Sequence, residues 1–125
     1  SMHARVSPST IGMMGKEQFA MMKPTAIFVN SARPALVDTQ AMLEALQTGQ
    51  IMGAALDVYD VEPIEPDNPL LALDNVTFCC HKGGDTVECF ANSPKMVLDQ
   101  AERYFAGETP RFLTNPEVLK NAKRG

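Results

Sequence analysis

Three residues of this 125-residue chain could act together in a reaction: Arg33, Glu62 and His81. Each lies where an apolar run gives way to polar residues, in the segments FVNSARPALVD, ALDVYDVEP and CCHKGGDT. This pattern is typical of a strand that ends in a turn. Because parallel strand ends and helix N-termini meet at one edge of an open α/β sheet, we predict that a cation, a carboxylate and an imidazole converge there.

The chemistry of such a set is proton transfer beside an anion. A histidine that is hydrogen-bonded to a carboxylate has a fixed tautomer and can donate a proton near neutral pH. Arginine offers a planar fork for a carboxylate, and Gly83 and Gly84 would leave backbone N–H groups free for a phosphate, an amide or a carboxylate. Simpler interpretations stay open: a surface ion pair for the arginine, a solvated glutamate, a structural histidine and a plain turn for the glycines.

The elements that would position these residues alternate along the chain. A short helix over Lys16 to Met22 ends before Pro24, since proline disfavours helix in the preceding residue. The run AIFVN (26–30) predicts a parallel strand that is buried on both faces. Asp38 then serves as the N-cap of a second helix, and Gly49 ends it.

Two more strands are predicted, over 51–58 (IMGAALDV) and 76–80 (VTFCC). The passage between them is irregular because it contains three prolines, and proline cannot serve a central ladder. Strand, helix, strand, loop and strand is the pattern of βαβ units on a parallel sheet. Three strands are few for such a sheet, so we expect half of a larger one with an exposed apolar edge.

A long helix closes the pattern. Asp85, Thr86, Val87 and Glu88 resemble a capping box, and apolar residues recur at helical spacing up to Phe105. We predict that the helix ends near Gly107. Pro94 lies inside it and should kink or shift it.

Composition excludes several classes of function. The formal net charge of −4 argues against non-specific nucleic-acid binding. The sequence shows neither an apolar run of membrane-spanning length nor a signal-peptide core, so we predict a cytoplasmic protein. Its three cysteines are an odd number without metal-like spacing, which favours buried free thiols and no metal. We interpret residues 1–2 as a tag scar and start methionine, and KNAKRG as a solvated tail.

Four motifs, in this order and spacing, carry a family resemblance: MKPTAIFVNSARPALVD, GAALDVYDVEP, NPLLALDNV and HKGGDT. They resemble the nucleotide-binding domain of the NAD-dependent D-2-hydroxyacid dehydrogenases, the group that includes phosphoglycerate dehydrogenase. The likeness extends from His3 to about Leu119. It implies half of a Rossmann-like doubly wound parallel sheet with flanking helices, with a partial NAD-binding domain over 3–108 and a C-terminal return segment and tail over 109–125.

The resemblance also implies a reaction and its residues. Hydride would pass between the nicotinamide of NAD, with NADP not excluded, and C2 of a 2-hydroxy or 2-keto acid. His81 would act as acid and base, Glu62 would hold and tune it, and Arg33 would bind the substrate carboxylate. The implied cofactor-binding residues are His3, Ser31, Ala32, Arg33, Asp57, His81, Gly83 and Gly84. Asp57 would lie at the carboxamide end of the cofactor.

The chain also departs from the family pattern. Pro34, Cys80 and Lys82 stand where the family usually has glycine, proline and an apolar residue, and no G-x-G-x-x-G follows a strand. We therefore expect a fragment that is inactive alone and forms a homodimer through its exposed edge. There are two alternatives to a dehydrogenase fragment. One is a non-enzymatic interaction or regulatory module of the corepressor kind, and the other is a folded gene remnant.

Overall fold

The structure, a computed structural model, describes residues 1–120. The chain divides into two compact units, Ser1–Gly83 and Gly84–Gly125. The predicted solvated tail lies outside the described residues except for Lys120. None of the helices within residues 1–120 combines the length and the apolar character needed to cross a membrane.

A parallel three-stranded sheet forms the centre of the first unit. Its strands are β1 (Ile27–Asn30), β2 (Gly53–Leu56) and β3 (Val76–Phe78), in the order β1-β2-β3. Met2 adds one parallel bridge on the outer side of β1, where its N–H donates to the carbonyl of Val29 at 2.9 Å. The predicted α/β fold with a parallel sheet is therefore confirmed. All carboxyl ends of the strands lie at one edge of it.

Two helices flank the sheet in this unit: α1 (Lys16–Ala20) and α2 (Thr39–Gln47). The carboxylate of Asp38 accepts a hydrogen bond from the N–H of Ala41 at 3.0 Å, which confirms the predicted N-cap. Gly49, with φ of +68°, follows the helix as the expected left-handed residue. Short 3₁₀ turns at Pro34–Leu36 and Pro69–Ala72 complete the connections.

The core lies on one face of the sheet. Phe19 of α1 is fully buried and meets Phe28 of β1 edge to face, with ring centroids 5.2 Å apart. Leu46 of α2 and Leu56 of β2 belong to the same cluster. The prediction that β1 is buried on both faces is wrong, because α1 and α2 pack on the Phe28 side while Ile27 is 59% exposed.

The second unit contains one long helix, α3 (Val87–Phe105). Its N-cap is Thr86, whose hydroxyl accepts from the N–H of Cys89 at 3.1 Å, one residue later than the predicted capping box. The helix runs through Pro94 and ends before Gly107, which has φ of +77°. No residue of α3 is buried.

Candidate active site

The imidazole of His81 and the carboxylate of Glu62 are in direct contact. Nδ1 of His81 lies 2.8 Å from Oε2 of Glu62, with the side chains 46% and 37% exposed. His81 follows β3, and Glu62 lies in the loop after β2. Glu62 and His81 therefore lie together at the carboxyl edge of the sheet, as predicted. With Nδ1 facing the carboxylate, Nε2 is the ring nitrogen left for another proton partner.

The carboxylate of Glu62 is fixed from a second side. Its Oε1 accepts a hydrogen bond from the backbone N–H of Tyr59 at 3.1 Å. The pKa of Glu62 is lowered, first by the hydrogen bond to His81 and then by the Tyr59 N–H. The glutamate therefore stays ionised at neutral pH and continues to accept from the imidazole.

Tyr59 is a residue that sequence reasoning missed. Its hydroxyl lies 2.8 Å from the carbonyl oxygen of Leu56 and 2.6 Å from that of Cys79, so it joins the ends of β2 and β3. Its ring stacks on Phe78, with centroids 6.2 Å apart. Burial raises the pKa of Tyr59, which keeps the hydroxyl protonated as a donor. The sequence signal that could have identified Tyr59 is its position directly after the apolar run 51–58.

Asp57 fastens the turn that carries His81. Its Oδ1 accepts from the N–H of Lys82 at 2.7 Å and its Oδ2 from that of Gly83 at 2.6 Å. These two N–H groups, Lys82 foremost, lower the pKa of Asp57 against the opposing effect of burial. The N–H of Gly83 is therefore already bonded to Asp57, whereas the sequence had suggested that it would be free for a ligand. A Cβ at Gly83 would lie only 2.8 Å from Oδ2 of Asp57.

The loop that carries Arg33 is shaped by a buried asparagine, which sequence reasoning also missed. Oδ1 of Asn30 accepts from the N–H of Ala32, and Nδ2 donates to the carbonyl of Arg33, both at 3.1 Å. Nη1 of Arg33 donates to the carbonyl of Ala32 at 2.6 Å. Within residues 1–120 no ion pair is found for Arg33, so its guanidinium retains donors for an anion.

Three neighbouring cavities follow the carboxyl edge. The largest, about 780 Å³, contains Glu62 and His81 among apolar neighbours that include Phe78. The middle one, about 280 Å³, has Ser31, Asp57 and Gly83 in its wall. The third, about 510 Å³, is lined by Met2, His3, Ala4, Arg5, Val6, Ser31, Ala32 and Arg33. The structure therefore brings Glu62 and His81 together, while Arg33 lies in a different cavity from them.

The last predicted residue, Gly84, belongs to the second unit. It is exposed, and a Cβ added there would meet no atom within 4 Å. Both the ligand-binding interpretation and the plain turn stay predictions for this residue.

The middle cavity has the chemical character that a nicotinamide ring requires. Val29 and Ala55, paired across β1 and β2, give it apolar lining. Asp57 in its wall is an acceptor for a carboxamide N–H, because two backbone donors occupy only part of the capacity of a carboxylate. The residues present therefore fit the cofactor that the sequence predicted. Among residues 1–120 no cluster of His, Cys, Asp and Glu could hold a metal ion. The prediction that the cysteines are buried is wrong, because Cys79, Cys80 and Cys89 are all exposed.

Residues 1–83 match the family described as "D-isomer specific 2-hydroxyacid dehydrogenase, NAD binding domain". The chain belongs to this family. The predicted family membership is confirmed, and so is NAD as the cofactor of the matched domain. The family match includes both residues of the contacting pair, Glu62 and His81, and the loop of Arg33.

Similar 2-hydroxyacid dehydrogenases extend well beyond this chain. It is 42% identical over 120 residues to a glyoxylate reductase of Korarchaeum cryptofilum, covering 96% of this chain and 36% of that protein. It is 40% identical over 125 residues to a D-3-phosphoglycerate dehydrogenase of Methanocaldococcus jannaschii, covering all of this chain and 24% of that protein. The chain thus spans about a third or less of the length of these two relatives.

Solved structures of the family have the same fold. A D-isomer specific 2-hydroxyacid dehydrogenase from Xanthobacter autotrophicus Py2, in complex with NADPH and MES, matches with a TM-score of 0.81 and 32% identity over 92% of this chain and 47% of that one. A D-lactate dehydrogenase with NAD⁺ from Lactobacillus jensenii matches with a TM-score of 0.77 and 34% identity over 90% and 38%. These likenesses confirm the Rossmann-like architecture.

Proposed function

We propose that this chain is the catalytic part of a nucleotide-binding domain in a dehydrogenase that interconverts D-2-hydroxy acids and 2-keto acids with NAD or NADP. The observation that carries the proposal is the 2.8 Å contact between His81 Nδ1 and Glu62 Oε2 at the carboxyl edge of the sheet. A contact of this kind fixes the imidazole for proton transfer. The family match supplies the type of reaction.

The proposed proton path runs through His81. When bound, the nicotinamide supplies or accepts the hydride at C2 of the acid. In the reductive direction Nε2 of His81 gives its proton to the keto oxygen, and in the oxidative direction it takes the hydroxyl proton. Glu62, held by the N–H of Tyr59, stabilises the imidazolium and keeps Nδ1 occupied.

Substrate and cofactor would be held by the neighbouring strand ends. Arg33 has no ion-pair partner within residues 1–120 and suits two-point binding of the substrate carboxylate. Asp57 and Ser31 would bind the carboxamide side of the cofactor over the apolar lining of the middle cavity. Ala32 and His3 complete the proposed cofactor contacts of the first unit, together with Gly83, which would contribute its Cα because its N–H is bonded to Asp57.

The native protein would be a homodimer. Support comes from α3, whose apolar side chains are exposed: Val87, Phe90, Val97, Leu98 and Phe105. A contiguous exposed apolar surface is typical of an interaction site. Light scattering of the native protein should show a mass that rises with concentration to twice that of its monomer; a compact monomer at every concentration would contradict the dimer.

The reaction is tested with the native protein that contains this sequence. Turnover of glyoxylate, hydroxypyruvate and D-lactate is followed by the absorbance of the reduced nicotinamide. His81→Ala should lower kcat by about 10² to 10⁴, because general acid–base catalysis contributes that much. Arg33→Ala should mainly raise KM for the acid, and Glu62→Gln should lower kcat and change its pH profile.

Lys23→Ala is the control, since Lys23 is exposed and stands apart from the site residues. Turnover that survives His81→Ala within a factor of two would overturn the proposed mechanism. It would favour instead the interaction or regulatory module that the same fold can serve.

A further inference from the structure

The cavity of about 510 Å³ beside Arg33 contains a second arginine, Arg5. Among the residues that line this cavity there is no carboxylate. The chain as a whole carries a formal net charge of −4, with 15 acidic residues and 11 lysines and arginines. Two guanidinium groups without a carboxylate are therefore a local reversal of the overall charge.

The loop that carries Arg5 is fixed by its own hydrogen bonds. The hydroxyl of Thr10 donates to the carbonyl oxygen of Arg5 at 2.7 Å and accepts from the N–H of Ser7 at 2.8 Å. On the other wall, Asn30 holds the loop of Arg33. Both arginines thus project from anchored backbone. In the described part of the chain no ion pair is found for Arg5 either.

We propose that Arg5 binds a phosphate group in this cavity, and that the phosphate is part of the nicotinamide nucleotide. The inference deepens the proposed function and depends on it for the identity of the ligand. A guanidinium suits a phosphate because its fork donates two hydrogen bonds to neighbouring oxygen atoms.

The spacing of the strands shows why the phosphate belongs to the cofactor and not to the acid. Arg5 follows Met2, which bridges β1 from outside, whereas His81 follows β3 at the other side of the sheet. Three inter-strand spacings separate these two strand ends, roughly 14 Å in all. A small hydroxy acid that reaches His81 is too short to reach Arg5 as well. A nucleotide whose nicotinamide lies in the middle cavity is long enough to place its phosphate in the neighbouring cavity, beside Arg5.

The experiment compares nicotinamide mononucleotide with nicotinamide riboside, which differs from it by the phosphate alone. Isothermal titration on the complete 125-residue chain gives a dissociation constant for each. The mononucleotide should bind about five- to tenfold more tightly, as expected for one charge-assisted contact at an exposed site. Arg5→Ala should remove this preference and leave the affinity for the riboside unchanged, while Arg5→Lys should keep part of it.

Arg111→Ala is the matched control, because Arg111 is an exposed arginine of the second unit. The proposal is overturned if Arg5→Ala leaves the preference intact, if Arg111→Ala reduces it equally, or if the wild-type chain binds neither the mononucleotide nor inorganic pyrophosphate at 20 mM.

Inorganic pyrophosphate separates this inference from the proposed function. Pyrophosphate binding that is lost in Arg5→Ala, without binding of either nicotinamide compound, supports the phosphate site and contradicts the proposed cofactor cavity. Equal binding of both nicotinamide compounds, unchanged by Arg5→Ala, supports the cavity and contradicts the role of Arg5.

Discussion

The two units use their apolar residues in opposite ways. In Ser1–Gly83 the apolar residues of α2 pack against β1 and β2, and Phe19, Leu36 and Ile51 are fully buried. Among residues 84–120 none is buried, although apolar side chains recur at helical spacing along α3. The first unit can therefore hold side chains at fixed distances by its own packing. The N-terminus of α3 is held by its Thr86 cap.

The largest expected difference between the units is in the free energy of unfolding. Phe19→Ala should lower it by about 3 to 5 kcal/mol, because the ring is fully buried against Phe28 and leaves a cavity. Phe105→Ala, at a side chain that is 85% exposed, should change it by less than about 0.5 kcal/mol. Urea unfolding followed by far-UV circular dichroism measures both. Equal losses would show that α3 is packed in solution.

A smaller difference is expected between two aspartates. Asp57→Asn should cost about 2 kcal/mol near neutral pH, because it removes the charge that accepts from Lys82 and Gly83. Asp99→Asn, at a half-exposed carboxylate on α3, should cost almost nothing.

The difference should also depend on pH. The pKa of Asp57 is lowered in the folded protein, so its stabilisation is present above the ordinary aspartate pKa of about 4 and is lost as pH falls through the folded value. Denaturation at a series of pH values should show the penalty of Asp57→Asn shrinking in acid. A penalty that is independent of pH would contradict the role of the charge.

The smallest expected difference in the free energy of unfolding is between substitutions of Gly83 and Gly84, which lie on either side of the boundary between the units. Gly83→Ala should lower the free energy of unfolding by about 1 to 2 kcal/mol, since its Cβ would press on Asp57 Oδ2 at 2.8 Å. Gly84→Ala meets no atom within 4 Å and should be neutral or slightly stabilising. Thermal unfolding compares them directly. Destabilisation by Gly84→Ala of equal size would mean that the tight packing extends past residue 83.

Local sequence signals predicted most of the fold. Compact apolar runs located the three strands, and Asp38, Gly49 and Gly107 marked helix ends through caps and left-handed conformations. The exposed face of β1 was not predictable from its apolar run. Apolar composition alone does not say which neighbours cover a strand, so Ile27 and Phe28 look alike in sequence and differ in burial.

The candidate site was predicted in part. Arg33, Glu62 and His81 were predicted as site residues because reactive side chains at strand ends share an edge of the sheet, and their roles stay predictions. Asn30 and Tyr59 were missed, since both act through backbone groups brought close only by folding: Asn30 shapes the Arg33 loop, and Tyr59 joins two strand ends and anchors Glu62. The link from Asp57 to the turn after β3 spans 26 residues and has no local signal.

His81 has a φ of +56°, which places a non-glycine residue in the left-handed region. For a residue with a Cβ this conformation costs about 1 kcal/mol or more relative to glycine. The most stable residue at this position would therefore be glycine, which has no imidazole. Under the proposed mechanism, the histidine at this position gives up folding free energy and supplies a proton-carrying group next to Glu62.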